Sequence, residues 1–356
     1  GTGQWPRGLH VSPDSTPPLT LILPTYNAGE QLRGAVDSFV ELQQQAHFEC
    51  RLMVVDDGSS AEHIRAMEAI VRTVPEIVVL KNRENSGPGI ARNRALDRIH
   101  SGYIGFIDSD DRLIAEHYVS AFLRGVESEA EWITYNSNLI SAGDVAQRYD
   151  FQRLTSDAHE RIRGCVKGEY DGSVIFSIYS AELIQRHQLR FPTGLYEDIP
   201  FAYAAMLLAE RRSIYPHPAY QKMNRTGSIV NTISERHIDG LLSGCVAVRE
   251  LVVDHGWSGY EAFEEDFSYG VNGYIETLIA SVVRAPSAIE RKIALLDYLA
   301  TRVRHHPLLS RLKRRRVTRK DRVVCFFLDH WSTPGWMGQA GFIDSLKNGD
   351  DDFIGG

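Results

Sequence analysis

An acidic loop carries the residues whose types and spacing are best suited to chemistry. Asp108, Asp110 and Asp111 lie within four residues and follow directly on a short apolar run, residues 103–107. Carboxylates crowded at the end of a buried strand repel one another unless a positive group lies among them. Hard divalent cations take oxygen ligands and share them with substrate phosphates, so one candidate is a metal that carries a phosphorylated ligand. The alternative is a solvated turn that caps the next helix, since Asp favours turns and N-caps.

The spacing within this loop assigns its carboxylates to two sides. Residues two apart on an extended segment face the same side, so Asp108 and Asp110 can address one ligand. Asp111 would then point away from that ligand. We expect Asp111 to cap the helix that follows.

Two more polar loops follow apolar runs in the same way. Residues 24–27 come after the run 19–23, and residues 56–59, which begin with Asp56 and Asp57, come after the run 51–55. In open parallel sheets, ligands bind outside the carboxyl ends of the strands. The three polar loops are therefore expected at one edge of a sheet.

The elements that must position these loops alternate along the chain. Continuous apolar runs separated by helical patterns indicate βαβ units, with helices on both faces of a mostly parallel sheet. We predict an α/β fold of this kind. The predicted strands are 19–23, 51–55, 77–80 and 103–107, and the predicted helices are 30–45, 62–71 and 89–100.

The pattern changes to helical stripes beyond about residue 235. Apolar side chains at Ile238, Leu241, Leu242 and Cys245 fall on one helical face. Such stripes are typical of core packing, so we predict a helical C-terminal region. The predicted organisation is a flexible leader at 1–17, a catalytic α/β domain at 18–234, a helical domain at 235–330 and a tail at 331–356.

Composition excludes several classes of protein. The chain has 356 residues, of which 43% are hydrophobic and 24% charged, and this is ordinary for a globular protein. The net charge of −7 disfavours nucleic-acid binding. No run approaches the roughly 20 apolar residues that span a bilayer, and no signal peptide is evident, so we expect a cytoplasmic protein without a transmembrane segment. Four scattered cysteines without a CxxC pair argue against a structural zinc site or a disulfide framework.

A dense basic run lies at residues 311–322. One interpretation is a solvated helix face or tail, partly neutralised by acidic residues near the end of the chain. The other is contact with a polyanionic acceptor or with an anionic membrane, which would make the protein peripheral at the inner face of that membrane.

Five motifs along the chain resemble those of family 2 inverting glycosyltransferases, and they occur in the expected order over about residues 19–232. The resemblance implies a GT-A fold, a nucleotide-sugar donor and a divalent metal, Mn²⁺ or Mg²⁺. It is strongest to bacterial enzymes of cell-surface polysaccharide, capsule or wall teichoic acid synthesis. The motifs are Leu23-Pro-Thr-Tyr-Asn27, Val54-Val-Asp-Asp-Gly-Ser59, Asn85-Ser-Gly-Pro-Gly-Ile-Ala-Arg-Asn93, Phe106-Ile-Asp-Ser-Asp-Asp111 and Tyr196-Glu-Asp-Ile-Pro-Phe201.

The resemblance implies roles for the residues that would hold the donor nucleotide. The first loop would line the base pocket, and Asp56 or Asp57 would accept a hydrogen bond from the base or ribose. A turn aspartate before Gly58 is the alternative for this pair. The residues of the first loop are Pro24, Thr25, Tyr26 and Asn27.

The resemblance also implies roles for the residues that would hold the diphosphate and the metal. The loop at Asn85 and Gly87 leads into a helix whose N-terminus favours anions. Asp108 would hold the ribose and share the metal with Asp110, and Ser109 would face the donor. Arg92 and Asn93 would contact the donor, although Arg92 would serve equally well as an ion-pair partner of the acidic loop.

Later residues would complete the site. The resemblance assigns the general base to Asp198, with Glu197 orienting the acceptor, whereas the alternative is an acidic pair that stabilises a helix N-terminus. Arg225 would neutralise the leaving diphosphate and Ser228 would hydrogen-bond to it. His217 could complete the metal shell, or it could be structural.

Together these assignments predict transfer of a sugar, from a UDP-sugar, to a hydroxyl of a glycan or polymer acceptor by single displacement. One alternative is a nucleotidyltransferase, which normally needs a Gly-rich basic loop after the first strand; residues 24–29 contain no Lys or Arg. The other alternative is a non-catalytic scaffold of a polysaccharide synthase complex. Oligomeric state stays open.

Overall fold

A computed structural model describes residues 16–141, 143–148, 156–224, 233–312, 317–332, 338–350 and 352. The chain divides into two compact units. The first comprises residues 1–154, 172–193 and 201–225, and the second comprises residues 155–171, 194–200 and 226–356.

The strands of the described residues all belong to the first unit. They are β1 (Leu19–Thr25), β2 (Cys50–Asp56), β3 (Ile77–Lys81), β4 (Tyr103–Phe106), β5 (Arg112–Leu113), β6 (Trp132–Ser141), β7 (Asp144–Arg148), β8 (Ser177–Ser180) and β9 (Arg212–Asn224).

Helices occur in both units. They are α1 (Arg33–Gln45), α2 (Ala61–Val71), α3 (Pro88–Leu96), α4 (Ala115–Glu127), α5 (Ala158–Val166), α6 (Ala181–Arg186), α7 (Asp198–Leu208), α8 (Glu235–Asp254), α9 (Phe263–Arg284), α10 (Ile289–His305), α11 (Arg319–His330) and α12 (Gln339–Asn348). Helix α5 and helices α8 to α12 lie in the second unit, and α7 begins there before it continues into the first.

The sheet of the first unit confirms the predicted α/β fold. Its strand order is β3-β2-β1-β4-β8-β6-β9-β5, with β7 paired to β6. Strands β1 to β4 are parallel to their neighbours in this group, whereas β8 runs antiparallel to both β4 and β6. Every residue of β1 is buried, as expected for a strand covered on both faces.

The register of these strands fixes one edge of the sheet. Thr25 at the end of β1 pairs with Asp56 at the end of β2, and Asp56 pairs with Lys81 at the end of β3. Ile22 of β1 pairs with Phe106 at the end of β4. The loops that follow β1, β2, β3 and β4 therefore leave the sheet at the same edge, as the sequence predicts.

The second unit is helical among its described residues, which confirms the predicted helical C-terminal region. Helix α8 begins with a capping box between Ser234 and His237, and α11 begins with one between Thr318 and Asp321. None of the described helices is both long and apolar enough to cross a membrane.

Candidate active site

The loops after β1 and β2 are joined by Asn27. Its backbone N–H donates to the Ser59 hydroxyl at 2.9 Å, and its side-chain oxygen accepts from the backbone N–H of Ser60 at 2.9 Å. The backbone of Asn27 has a positive φ of 48°, a conformation that Asn tolerates better than most residues. Thr25 and Pro24 are buried beside it, whereas Tyr26 is 52% exposed. Tyr26 is thus the member of this loop whose side chain a ligand can reach.

The two aspartates after β2 have different surroundings. Asp57 accepts hydrogen bonds from Asn82 Nδ2 at 2.7 Å and from the backbone N–H groups of Ser86 at 3.0 Å and Gly87 at 2.7 Å. Asp56 is 1% exposed, and within the described part of the chain its Oδ1 atom has no hydrogen-bond partner. A buried acceptor without a donor costs free energy, so this atom is suited to a donor group from a ligand.

Gly58 lets the loops after β2 and β3 approach each other closely. Its φ is +77°, and a Cβ there would lie 2.6 Å from the backbone carbon of Glu84 and 2.8 Å from the backbone nitrogen of Asn85. Only glycine fits such a position without moving the neighbouring backbone. The approach brings the backbone of residues 84–87 to the Asp57 carboxylate.

The start of α3 differs from the anion site that the sequence predicts. The N–H groups of Ser86 and Gly87 bind the Asp57 carboxylate, so they already have an anion within the protein. The Asn85 side chain is exposed, and a Cβ on Gly87 would meet no atom within 4 Å. A phosphate would have to displace the Asp57 carboxylate to use these two donors.

Helix α3 is anchored through Phe191. Asn93 Nδ2 donates to the Phe191 carbonyl at 2.8 Å, and the Phe191 N–H donates to Asn93 Oδ1 at 2.9 Å. The Arg92 guanidinium lies 5.3 Å from the centre of the Phe191 ring and donates from Nη2 to Asp108 Oδ1 at 3.1 Å. Arg92 is 4% exposed. Of its two predicted roles, the structure shows the ion pair with the acidic loop.

Asp111 does not cap the following helix, so that prediction is wrong. Helix α4 begins after Ile114 without a side-chain cap. Asp111 is 1% exposed, and its carboxylate accepts from the Tyr220 hydroxyl at 2.8 Å and from the Met223 N–H at 2.8 Å. These donors lie on β9, which passes the acidic loop. Burial raises the pKa of the Asp111 carboxyl to about 6, against the lowering effect of the Lys222 ammonium.

Lys222 is a residue of this site that sequence analysis did not single out. Its Nζ atom lies 3.5 Å from Asp108 Oδ2 and 3.4 Å from Asp111 Oδ2. Burial lowers the pKa of the Lys222 ammonium, but Asp108, Asp111 and Asp110 more than offset burial and raise it. Lys222 follows Tyr220 by two residues on β9, so the two side chains share one side of the strand.

The acidic loop suits a metal that is bound mainly through other ligands. The described residues contain no group of three or more His, Cys, Asp or Glu side chains placed to hold a metal ion. Asp111 is buried and bound by β9 donors, whereas Asp108, Ser109 and Asp110 are partly exposed. Mg²⁺ and similar hard cations usually need only one or two carboxylates, because water and substrate phosphates supply the rest. The donor set fits that kind of metal.

His217 lies away from the contacts of the acidic loop. On β9 it precedes Lys222 by five residues, and its ring stacks on His117 at 5.4 Å and meets Tyr215 edge-on at 5.4 Å. These contacts place it in an aromatic cluster with α4. We therefore leave His217 out of the metal site proposed below.

The remaining predicted residues are Glu197, Asp198, Arg225 and Ser228. Glu197 and Asp198 belong to the second unit, within residues 194–200, where Glu197 is 6% exposed and Asp198 begins α7. Arg225 and Ser228 lie outside the described residues. Their assignments stay predictions.

Part of the chain matches the model of a known family. A profile described as "Glycosyl transferase family 2" matches residues 20–164. Residues 20–164, less than half of the chain, are therefore similar to a family 2 glycosyltransferase domain. The matched segment begins at Thr20 in β1 and extends beyond β7, so it contains Asp56, Asp57 and the acidic loop.

Similarity to known proteins covers more of the chain than residues 20–164. The chain is 24% identical over 206 residues to the uncharacterized glycosyltransferase YibD of Escherichia coli, covering 56% of this chain and 59% of YibD. It is 24% identical over 318 residues to the succinoglycan biosynthesis protein ExoO of Rhizobium meliloti, covering 85% of this chain and 88% of ExoO. The match to YibD thus spans less than two thirds of that protein.

A solved structure shares the fold. The S. aureus TarS fragment 1-349, crystallised in complex with UDP-GlcNAc, matches with a TM-score of 0.64 at 20% identity, covering 93% of this chain and 92% of that fragment. At this identity the match shows the fold alone, and it agrees with the GT-A fold that the motifs imply.

Proposed function

We propose that this chain transfers a sugar from a nucleoside diphosphate sugar, with UDP as the nucleotide, to a hydroxyl of a glycan or surface-polymer acceptor. The observation that carries the proposal is the Oδ1 atom of buried Asp56, which has no hydrogen-bond partner among the described residues and lies at the sheet edge that also presents the acidic loop. The match of residues 20–164 to the family 2 model and the similarity to a succinoglycan biosynthesis protein support it.

Asp56 would recognise the donor base. A carboxylate oxygen can only accept hydrogen bonds, so it pairs with a ring N–H and not with a ring nitrogen that is itself an acceptor. Uracil presents such an N–H, whereas the corresponding nitrogen of cytosine accepts. The exposed Tyr26 ring, on the neighbouring loop, offers a surface on which the base can stack.

Asp108 and Asp110 would hold Mn²⁺ or Mg²⁺ together with the donor diphosphate. When bound, the metal supplies positive charge that stabilises the departing nucleoside diphosphate. Arg92 orients Asp108 through its contact with Oδ1. Ser109 would contact the donor from the same loop, and the predicted Arg225 and Ser228 would add charge-assisted contacts to the leaving group.

Asp198 would act as the general base, taking the proton of the acceptor hydroxyl as that oxygen attacks the anomeric carbon. The bond to the nucleoside diphosphate breaks on the opposite face, so the configuration inverts. Glu197 would orient the acceptor. Most of the rate enhancement in such a displacement comes from positioning and electrostatic stabilisation.

The acceptor and its location are part of the same proposal. A glycan or anionic surface polymer is consistent with the polysaccharide role that the name of ExoO states for that protein. We propose that the enzyme works in the cytoplasm, with the basic run 311–322 contacting an anionic membrane or polymer.

The test is a transfer assay on the full chain with a panel of UDP-sugars and purified surface polymers, with Mn²⁺ present. Asp198→Asn should bind UDP-sugar as wild type does, while transfer falls by about 100-fold or more because the base is lost. Asp254→Asn, at an exposed carboxylate of the second unit, is the matched control and should transfer normally. Normal turnover by Asp198→Asn would show that the base is another residue.

A further inference from the structure

The Lys222 side chain, on β9, lies next to the carboxylates of the acidic loop. Its ammonium lies 3.5 Å from Asp108 and 3.4 Å from Asp111, and its side chain is 36% exposed. Asp110 adds a third carboxylate close enough to act on the Lys222 charge. The lysine therefore lies where a free cation would be attracted.

Neither of the two carboxylates that Lys222 contacts depends on it alone. Asp108 is also bound through Oδ1 by Arg92 at 3.1 Å. Asp111 is also bound by the Tyr220 hydroxyl and the Met223 N–H, each at 2.8 Å. If the ammonium moved away, both aspartates would keep a partner. The Arg92 side chain is 5% exposed, whereas the Lys222 side chain is 36% exposed, and its flexible four-carbon stem can relocate its charge.

The net charge of this group of side chains determines how strongly it attracts a metal ion. Among the described residues, three carboxylates face two cations, Arg92 and Lys222, which leaves one net negative charge. A metal that enters while Lys222 stays in place meets a site that is largely neutralised. It also meets a like charge within a few ångströms of its ligand Asp108.

We propose that Lys222 is a tethered cation that competes with the divalent metal for the acidic loop until a nucleoside diphosphate arrives. This rests on the metal role in the proposed function. The donor diphosphate offers the ammonium a second anion to bind, so Lys222 leaves Asp108 and the metal takes its place. Metal and nucleotide therefore bind cooperatively, and the nucleotide-free protein binds metal weakly.

The test measures Mn²⁺ binding to the full chain by titration with EPR detection of free Mn²⁺, with and without UDP. Lys222→Met, which keeps length and removes charge, should bind Mn²⁺ about tenfold or more tightly than wild type without UDP. With UDP present the difference should shrink. Lys222→Arg, which keeps the charge, should stay closer to wild type than to Lys222→Met.

Two control substitutions test whether the change in Mn²⁺ affinity arises at the acidic loop. Lys81→Met removes a lysine on β3 that pairs with Glu68 at the surface, and it should leave Mn²⁺ affinity unchanged. Adding Asp110→Asn to Lys222→Met should abolish the gain if the metal binds at the acidic loop. Thermal unfolding of each variant identifies one that does not fold, in which case Lys222→Gln replaces Lys222→Met.

The inference is overturned if Lys222→Met binds Mn²⁺ no more tightly than wild type without UDP, or if none of the proteins binds Mn²⁺. No sugar transfer is measured in this experiment. A chain that shows the expected Mn²⁺ affinities but transfers no sugar would therefore overturn the proposed function and leave the role of Lys222 standing.

Discussion

The carboxylate of Asp57 accepts a hydrogen bond from the backbone N–H of Gly87 at 2.7 Å. This contact ties the loop after β2 to the start of α3 and leaves Asp57 without a free oxygen, because Asn82 and Ser86 bind it as well. Its neighbour Asp56 is equally buried but keeps one oxygen without a partner among the described residues. Two adjacent aspartates therefore separate into a structural residue and a candidate ligand residue.

Asp57→Ala should destabilise the protein. The substitution removes the acceptor of three donors, and we expect the free energy of unfolding to fall by about 2–3 kcal/mol. Urea denaturation measures this. Asp37→Ala, at an exposed carboxylate on α1, should change stability by less than about 0.5 kcal/mol. Equal stability of the two variants would mean that Asp57 does not anchor the loop.

Gly58→Ala should be more harmful than Gly87→Ala, although both glycines have positive φ angles. At Gly58 a Cβ would meet the backbone of Glu84 at 2.6 Å, whereas at Gly87 it would meet no atom within 4 Å. Gly87→Ala should cost about 1 kcal/mol of conformational strain, and Gly58→Ala should cost more because the neighbouring loop must also move. Urea denaturation of both variants tests the ranking, and the reverse order would contradict the close approach.

Asp111 should make stability depend on pH. Burial raises the pKa of its carboxyl from 3.8 to about 6 in the folded protein. Its stabilising contribution is therefore complete below about pH 4 and is lost as the pH rises through about 6. Relative to Asp111→Asn, which does not titrate, wild type should gain about 2 kcal/mol of unfolding free energy between pH 7.5 and pH 4.5.

Urea denaturation of wild type and Asp111→Asn at both pH values measures this difference. Groups that titrate alike in the two proteins cancel in the comparison. A difference that is the same at both pH values would mean that the pKa of Asp111 is not raised by burial. A difference that favours wild type at high pH would mean that Lys222 and Tyr220 hold the pKa below its ordinary value.

Sequence patterns predicted the framework of the site well. The apolar run that became β1 is buried along its whole length, and its alternation with helical segments was enough to predict a sheet edge with three polar loops. These features depend on residues close together in the chain. The split between Asp56 and Asp57 could not be predicted, because it is decided by where the backbone of Ser86 and Gly87 arrives.

Contacts made by strands far along the chain were harder still to predict from the sequence. Asp111 resembles a helix cap in the sequence, but its partners Tyr220 and Met223 come from β9, more than a hundred residues later. Lys222 joins the acidic loop for the same reason. The family resemblance predicts that Asn93 contacts the donor, whereas both polar atoms of its side-chain amide bind the Phe191 backbone.

The most direct test of the central claim is the affinity of UDP and CDP for wild type and Asp56→Ala, measured by isothermal titration calorimetry with Mn²⁺ present. Wild type should prefer UDP, and Asp56→Ala should lose about tenfold or more in UDP affinity along with most of the preference over CDP. Its unfolding free energy should change little, because the removed Oδ1 atom has no partner within the described residues. Unchanged UDP affinity in Asp56→Ala, or a wild-type protein that binds neither nucleotide, would contradict the account.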